Sequence, residues 1–487
     1  MPCMCSLLSS VTAGLFLTVV AGILLLVILR TVLRRKRCSR TKGEPDITYV
    51  GLFHPYCNAG GGGERVLWCA VRCLLRKYPT VRIVIYTGDV GVTPRDILKK
   101  AKNTFNVSVQ EKDVEFVYLK RRKWVEAARY PYFTLLGQSL GSMWLGLEAA
   151  WKFPPDVFVD TMGYAFTFPL FRFLVGARVS GYVHYPTISG DMLRRVQART
   201  MSHNNKNYVA RNPFLTWLKI YYYRGFARLY GLVGRCADIV MVNSSWTEGH
   251  ISSLWQVPLK THRVYPPCDV GDLKKVQFIG NDAERICIMS VGQFRPEKDH
   301  PLQLQAMYEL RSLLVNDEQL WNRLRLVIVG SCRHEEDVER MKNMRDLSKH
   351  LSLENSVEFR VNVTYQELLQ CYQTARIGLH TMWNEHFGIS VVESMAAGLI
   401  MVANRSGGPM MDIVEPSPAS QTGFLAVDAV EYAQCIATIL YNEPEDNDTI
   451  RTAARASVDR FSESEFESAF LRVIAPLIES ETPSKHE

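Results

Sequence analysis

The sequence lacks the motifs of several common catalytic sites. It contains no HExxH, no clustered Cys/His set, no GxGxxG and no GKS or GKT, so zinc-protease, dinucleotide-binding and P-loop chemistry are unsupported. Its 12 cysteines include no CxxC pair, and in a cytoplasmic compartment we expect them to be reduced thiols. We therefore expect neither a metal ion nor another cofactor.

Charge is absent from residues 1–29 and concentrated immediately after them. Residues 30–42, the basic collar, contain seven bases and no acid, which leaves +1 of the formal charge of +8 for the rest of the chain. A nucleic-acid-binding protein would carry a basic patch outside this collar, so we expect no nucleic-acid partner.

The uncharged N-terminus contains an apolar run over residues 7–29. At about 1.5 Å per residue, such a run spans the roughly 30 Å hydrocarbon core of a bilayer. The bases follow the run instead of preceding it, which indicates an uncleaved anchor, and the positive-inside rule places the collar and everything after it in the cytoplasm. Residues 1–42 are thus predicted to form a lumenal stub, a transmembrane helix and the collar.

From residue 46 onward, short apolar runs alternate with amphipathic segments, a pattern typical of βαβ units and parallel sheets. The sequence predicts an α/β protein of two Rossmann-like domains facing a cleft, at residues 46–275 and 283–455, with a C-terminal helix and tail at 456–487. Ligands of such sheets bind beyond the carboxyl ends of the strands.

Two aromatic-rich segments, 132–151 and 214–232, allow two interpretations. Aromatic rings interleaved with bases suit a membrane interface, where the rings lie at headgroup level. The same composition also suits helices that pack on the sheet as part of the core. The sequence leaves both interpretations open.

A pair of carboxylates, Glu385 and Glu393, follows a predicted strand that ends near His380. Glu385 is predicted in the strand-to-helix loop and Glu393 in the helix, while the backbone N–H groups of Phe387 and Gly388 point out of the helix N-terminus and suit a phosphate. Carboxylates beside a phosphate site can accept hydrogen bonds from sugar hydroxyls. The alternative is a solvated helix face.

Two bases, Arg295 and Lys298, follow another predicted strand. Arginine can bind phosphate oxygens through two nitrogens and lysine acts as a compact charge, so together they could neutralise a leaving diphosphate. The alternative is a surface pair balanced by Glu297 and Asp299.

In the first predicted domain, four glycines at 60–63 separate the first strand from a helix predicted over 64–78. Gly62 and Gly63 permit close backbone approach to an anion, and the alternative is a flexible turn. His184 ends a strand, where it could meet the reacting sugar, although a lone histidine is more often structural.

Taken together, these motifs and the segment VNSSWT at 242–247 resemble family GT4 of the GT-B glycosyltransferases, over residues 47–478. The sequences GGGGERVLW and HYPTISGDM and the N-terminal anchor are similar to the endoplasmic-reticulum members that build dolichol-linked oligosaccharide. This resemblance implies a GDP-mannose donor, a dolichol-linked trimannosyl acceptor and two successive α-1,2 transfers with retention of configuration, without a metal or cofactor. It also implies a single-pass protein of the endoplasmic-reticulum membrane with cytosolic catalytic domains, which could assemble with other dolichol-pathway mannosyltransferases.

The resemblance also implies roles for individual residues. Glu393 would hold the ribose and Glu385 the transferred mannose, while His184 would meet the donor sugar or the acceptor hydroxyl. The diphosphate would be bound by the remaining site residues: Arg295, Lys298, Gly62, Gly63, Phe387 and Gly388. Two rival functions remain: a GT4 mannosyltransferase with another lipid-linked acceptor, and a membrane scaffold with a decayed transferase fold.

Overall fold

The computed structural model describes residues 2–190, 192, 213–280, 284–332 and 335–479, and these form two compact units. The first unit comprises the described parts of Met1–Val242, Gly249–His262 and Leu471–Glu487, and the second comprises those of Asn243–Glu248 and Arg263–Phe470. This division falls earlier in the chain than the boundary expected from the sequence between residues 275 and 283.

The elements up to residue 263 are, by type, the strands β1 (Thr48–Phe53), β2 (Val81–Thr87), β3 (Val114–Tyr118), β4 (Val157–Asp160), β5 (Arg178–Val183), β6 (Ile239–Val242) and β7 (Thr261–Arg263), and the helices α1 (Pro2–Gly43), α2 (Gly62–Lys77), α3 (Pro94–Phe105), α4 (Thr134–Lys152), α5 (Pro213–Gly234) and α6 (Ser245–Trp255). The strands form one sheet in the order β3-β2-β1-β4-β5-β6-β7, and β1 to β6 pair in parallel.

The later elements are, by type, the strands β8 (Ile286–Val291), β9 (Leu324–Gly330), β10 (Val357–Val361), β11 (Ala375–His380), β12 (Ile400–Asn404) and β13 (Gly423–Ala426), and the helices α7 (Val270–Leu273), α8 (His300–Leu313), α9 (Glu318–Arg323), α10 (Glu335–His350), α11 (Tyr365–Thr374), α12 (Ile389–Ala396), α13 (Ala429–Tyr441), α14 (Pro444–Ser457) and α15 (Glu463–Glu479). These strands form a wholly parallel sheet in the order β10-β9-β8-β11-β12-β13.

Both sheets have the strand order of a doubly wound nucleotide-binding fold, which confirms the prediction of two Rossmann-like domains. The order reverses between β1 and β4 in the first unit and between β8 and β11 in the second. Ligands of this fold bind at these topological switch points, outside the carboxyl ends of the strands. The residues that follow these four strands are therefore the first candidates for a site.

The central strands of the second unit, β8, β9, β11 and β12, are buried on both faces. Along β8, Ile286 and Ile288 belong to one hydrophobic cluster, whereas Cys287 and Met289 belong to another. Because side chains alternate along a strand, the two clusters cover opposite faces of the sheet. This double burial holds the strand ends in fixed register beneath the site.

Helix α2 begins two residues earlier than the sequence predicted. Gly61 caps it, and the Glu64 carboxylate accepts a hydrogen bond from the Gly61 N–H, so the helix can begin among glycines. Gly62 and Gly63 are therefore helical, and their prediction as loop residues is wrong. Gly60, with φ of 90°, provides the turn that precedes the cap.

Helix α1 is long and apolar enough to cross a membrane, judged by length and composition. Its exposed apolar residues include Phe16, Leu25 and Ile28, whereas Leu33 is buried in the core of the first unit. The helix thus continues without a break from the apolar run into the folded unit.

The two aromatic-rich segments form helices α4 and α5, each with one buried face. On α5, Tyr223, Phe226 and Tyr230 belong to the core, while Trp217 and Tyr221 are exposed. The interpretation as core helices is thus correct for one face of each helix, and membrane contact by the other face stays a prediction.

Candidate active site

Glu385 lies in the loop that joins β11 to α12, at the switch point of the second unit. Gly388, with φ of 113°, caps α12. The loop that contains Gly407 and Gly408 packs against Glu385, and the Gly408 N–H donates to the Glu385 carbonyl at 2.7 Å. A Cβ on Gly407 would lie 2.2 Å from the same carbonyl, so a side chain there would displace the loop. These glycines fix where the Glu385 side chain begins.

The Glu385 carboxylate contacts two basic side chains. Lys298 Nζ forms an ion pair with Glu385 Oε2, and His380 Nε2 lies 3.2 Å from the same oxygen. Burial acts to raise the pKa of Glu385, but the Lys298 charge and His380 outweigh it, so the pKa lies well below its usual range. Glu385 is therefore a stable carboxylate, suited to accept hydrogen bonds and poorly suited to carry a proton.

Lys298 ends a short 3-10 helix, Pro296–Lys298, that follows β8, and buried polar side chains hold its backbone. Thr381 Oγ1 lies 2.9 Å from the Lys298 carbonyl and 3.1 Å from that of Asp299. Gln303 Nε2 in turn donates to Thr381 Oγ1 at 3.0 Å and to Ser290 Oγ at 2.9 Å. We call Ser290, Gln303 and Thr381 the polar floor; it joins β8 to β11 across the switch point.

Two buried histidines accompany the polar floor. Burial, followed by the positive charge of Lys298, lowers the pKa of His300 to about 4. Burial likewise lowers the pKa of His380, against the opposing effect of Glu385. Both rings are therefore neutral near pH 7, and Lys298 is the cation closest to Glu385 among the contacts described.

Arg295 does not join Lys298 at Glu385 in the described structure. Its guanidinium is partly exposed and lies 3.5 Å from the Glu297 carboxylate. This contact matches the alternative interpretation of a surface pair, and a role for Arg295 in diphosphate binding stays a prediction.

The other predicted residues of this loop divide between core and surface. The Phe387 ring is buried between Tyr265 and Phe461, at centroid distances of 5.7 and 5.2 Å, so its backbone is the part that a ligand could reach. Glu393 is half-buried on α12, and its charge, after the larger effect of burial, raises the pKa of Tyr372. Glu385 thus lies in the loop before α12, and Glu393 lies in the middle of that helix.

The segment VNSSWT meets the same loop. Ser245 donates from its N–H and its hydroxyl to the Asp412 carboxylate, at 2.9 and 2.5 Å, and the Trp246 ring lies 5.2 Å from the ring of His386. The residue next to Glu385 is therefore packed against a segment more than a hundred residues away in the chain.

In the first unit, a buried hydrogen-bond chain joins the glycine turn to the switch point. His54, directly after β1, places Nε2 3.1 Å from Glu64 Oε1 and Nδ1 2.7 Å from Thr161 Oγ1, which follows β4. Since Glu64 also binds the Gly61 N–H, the turn is held by both strands of the switch point.

His184 and Gly63 lie side by side. A Cβ on Gly63 would lie 3.4 Å from His184 Nε2, so the glycine allows the imidazole to approach the first turn of α2. The structure thus brings together the two sequence-predicted features of the first unit, the glycines and the strand-end histidine.

Sequence reasoning missed His54, Thr381, Gln303 and the contact of His380. His54 and Thr381 directly follow β1 and β11, so the strand-end rule could have found them. Gln303 lies inside α8 and carries no such signal. Among the described residues, no group of three or more His, Cys, Asp or Glu side chains could hold a metal ion.

Comparisons with known proteins agree with this architecture. Residues 47–255 match the family described as ALG11 mannosyltransferase N-terminus, and residues 273–456 match Glycosyl transferases group 1. Solved structures with a similar fold include a glycosyltransferase from Rickettsia africae (TM-score 0.60, 15% identity, 89% of this chain and 100% of that chain) and a sucrose-phosphate synthase from Thermosynechococcus elongatus (0.62, 16%, 89% and 100%).

Curated relatives are much more similar in sequence. The human GDP-Man:Man(3)GlcNAc(2)-PP-Dol alpha-1,2-mannosyltransferase is 48% identical over 98% of both chains. The protein of the same name from Dictyostelium discoideum is 47% identical over 88% of this chain and 85% of its own. The GT-B fold, the strand-end site and these full-length similarities lead to one conclusion: the chain is a glycosyltransferase that belongs to the GDP-Man:Man(3)GlcNAc(2)-PP-Dol alpha-1,2-mannosyltransferase family.

Proposed function

We propose that this chain transfers mannose from GDP-mannose to dolichol-linked Man(3)GlcNAc(2) in α-1,2 linkage, adding the fourth and fifth mannoses in succession. The names of the relatives supply the donor, the acceptor and the linkage. The observation that carries the proposal is the Lys298–Glu385 pair at the β8/β11 switch point, where a sugar nucleotide would be bound.

In the proposed reaction, Lys298 stabilises the departing diphosphate. Breaking the bond from the sugar C1 to the phosphate oxygen leaves negative charge on the diphosphate, and a preorganised cation there lowers the barrier. Amides at the start of α12, including those of Phe387 and Gly388, face the same charge, while Glu393 binds the ribose. Gly62 and Gly63 add their amides to diphosphate binding in this proposal.

Glu385 is proposed to accept hydrogen bonds from hydroxyls of the transferred mannose. Its depressed pKa makes it a weak base, so the acceptor proton needs another destination. We propose a front-face reaction with retention: the acceptor oxygen bonds to C1 on the side that the phosphate leaves, and a phosphate oxygen takes the proton. His184 is proposed to orient the sugar or the acceptor hydroxyl.

The proposal includes a place in the cell. Helix α1 anchors the protein once in the endoplasmic-reticulum membrane, and the basic collar keeps both units on the cytosolic side. Assembly with other dolichol-pathway mannosyltransferases is compatible with this position. Protease digestion of both units in sealed microsomes supports this orientation, whereas protection until detergent is added contradicts it.

The decisive experiment incubates purified full-length protein with GDP-mannose and the lipid-linked trimannosyl acceptor. A product heavier by two hexoses, both removed by an α-1,2-mannosidase, is expected. Addition of only one hexose contradicts the proposed transfer of two mannoses. Transfer only to another lipid-linked acceptor favours the rival function, a GT4 mannosyltransferase with a different acceptor. Absence of turnover with every acceptor favours the scaffold.

A further inference from the structure

The helix that carries the apolar run packs directly on the first unit, with no intervening linker. Leu29, the last residue of the uncharged run, packs against the core cluster of this unit, and Leu33 is only 1% exposed within it. If α1 spans a bilayer, as the proposed function holds, the first unit must therefore lie at the bilayer surface.

Collar cations fix this arrangement by binding the first unit instead of projecting freely. Lys36 Nζ donates to the Trp151 carbonyl at 2.8 Å and lies 5.4 Å from the Trp151 ring centroid. The Arg40 guanidinium stacks on Tyr49 and Phe153, at 4.5 and 4.1 Å. Two of the cations thus bind at and just beyond the C-terminal end of α4, where the helix dipole favours positive charge.

A line of large apolar side chains leads away from this contact. Leu140, Trp144 and Trp151 of α4 are 54%, 46% and 54% exposed, and their spacing of four and seven residues places them on one side of the helix. The opposite side, including Leu145 and Ala149, is buried. Phe173, also exposed, lies beside the collar, where its carbonyl accepts from Arg34 at 3.5 Å. We call Leu140, Trp144, Trp151 and Phe173 the belt.

The helix rise gives the depth of the two belt residues that contact the collar, Phe173 and Trp151. Arg34 and Lys36 lie five and seven residues beyond Leu29, or about 8 and 10 Å along the helix axis. The polar layer on each side of a bilayer is about 5–8 Å deep, so the Phe173 carbonyl that contacts Arg34 lies at its outer edge and the Trp151 carbonyl that contacts Lys36 lies about 2 Å beyond it. Aromatic rings with a cation nearby favour this region, and Arg121 lies 4.5 Å from the Trp144 ring.

From this continuity with the anchor, we propose that the belt is a lipid-docking surface that holds the first unit in the headgroup layer around α1. Its partner is the bilayer itself, and Trp144, Trp151 and Phe173 are its main contacts. Helix α1 then attaches the first unit to the membrane and also fixes the orientation of this unit toward lipid-linked acceptors.

Photo-crosslinking of full-length protein in phosphatidylcholine vesicles tests the proposal. A benzophenone amino acid is placed at the position of Trp144 or Phe173, with Ile23 in the apolar run as the positive control and Leu259, 94% exposed, as the negative control. Lipid adducts at 144 and 173 but not at 259 are expected.

The remaining outcomes separate the belt from the anchor. Adducts at 23 without adducts at 144 and 173 overturn the belt and leave the anchor intact. Absence of adducts at 23 overturns the anchor and the belt with it, while turnover of the acceptor in detergent still supports the proposed activity. Adducts to a second copy of the chain at 144 overturn the bilayer as its partner.

A functional comparison uses the double variant Trp144→Glu, Trp151→Glu. In vesicles, kcat/KM for the lipid-linked acceptor should fall roughly tenfold as two interfacial aromatics are lost, whereas turnover in detergent stays within about twofold. Leu259→Glu is the matched control and should change neither value. An equal loss in vesicles and detergent would indicate a folding defect and contradict the docking role.

Discussion

The two units share one strand order but join their switch points by different chemistry. In the first, His54 connects Thr161 to Glu64 and so to a glycine turn. In the second, a polar floor holds Lys298, whose ammonium group pairs with Glu385. The topology provides the location in both units, and the side chains decide which ligand each location can bind.

Their buried titratable groups also differ. Burial raises the pKa of Asp160, at the end of β4, to about 7, whereas burial lowers the pKa of His300, beside the polar floor, to about 4. In both cases burial favours the neutral form. The Asp160 carboxyl is neutral below about pH 7, and the His300 imidazole is neutral above about pH 4. The contributions of Asp160 and His300 to stability should therefore change in opposite directions as the pH rises.

Replacement of Lys298 should have the largest effect, because it removes the cation that pairs with Glu385 at the switch point of the second unit. Lys298→Ala should lower kcat by about a thousandfold, the scale of losing one strong electrostatic contact to the leaving group. Lys298→Arg should recover part of the loss. The measurement is steady-state transfer from GDP-mannose, with the thermal transition followed in parallel.

Lys275→Ala is the matched control, since Lys275 forms an exposed ion pair with Asp272. Its turnover should remain unchanged. Near-normal turnover of Lys298→Ala would refute the assignment of Lys298 to the diphosphate and remove the main difference between the units.

The sequence predicted where the site residues of the second unit lie better than it predicted which of them contact each other. Lys298 and Glu385 were found because each closely follows a strand, and the alternation of strands and helices predicted both sheets. The ion pair itself joins residues 87 positions apart, because β8 lies beside β11, and no local pattern specifies that neighbour.

The same limit explains two other differences. Gly62 and Gly63 are helical because the Glu64 carboxylate, in the first turn of the helix, accepts a hydrogen bond from the N–H of the capping residue Gly61. The run of glycines predicted a loop and gave no sign of this hydrogen bond. The basic collar binds carbonyls more than a hundred residues away, which its composition alone does not indicate.

The opposed pH responses provide the second prediction. The folded pKa of Asp160 is raised, so its contribution to stability is present near pH 4 and is lost as the pH rises through 7. The folded pKa of His300 is lowered, so its contribution is present above about pH 6.5 and is lost as the pH falls toward 4. Each amounts to roughly 2–4 kcal/mol over its range.

Asp160→Asn should therefore stabilise the protein at pH 8 more than at pH 5, and His300→Gln should flatten the loss of stability below pH 6.5. Unfolding midpoints at pH 5, 6, 7 and 8 check both variants. Parallel profiles for wild type and either variant would mean that the group concerned does not titrate as its burial requires.

Thr381→Val tests the polar floor and should have a smaller effect. It removes the hydroxyl between Gln303 and the carbonyls of Lys298 and Asp299, which should lower stability by about 1–3 kcal/mol and raise the KM for GDP-mannose. Thr438→Val, which removes an exposed hydroxyl on α13, should change neither quantity. A stability loss without any change in donor KM would show that the floor supports the sheet but does not position Lys298.

Arg40→Ala should have the smallest effect and tests whether α1 is a structural part of the first unit. Loss of stacking on Tyr49 and Phe153, together with the hydrogen bond to the Pro154 carbonyl, should lower stability by about 1–2 kcal/mol in detergent. Arg35→Ala is the control because Arg35 is exposed. The KM for GDP-mannose should be unchanged, since Arg40 lies in the first unit and Lys298 in the second. An unchanged unfolding midpoint would instead show that the Arg40 contacts add no measurable stability to the packing of α1 on the first unit, the packing from which the position of the belt is inferred.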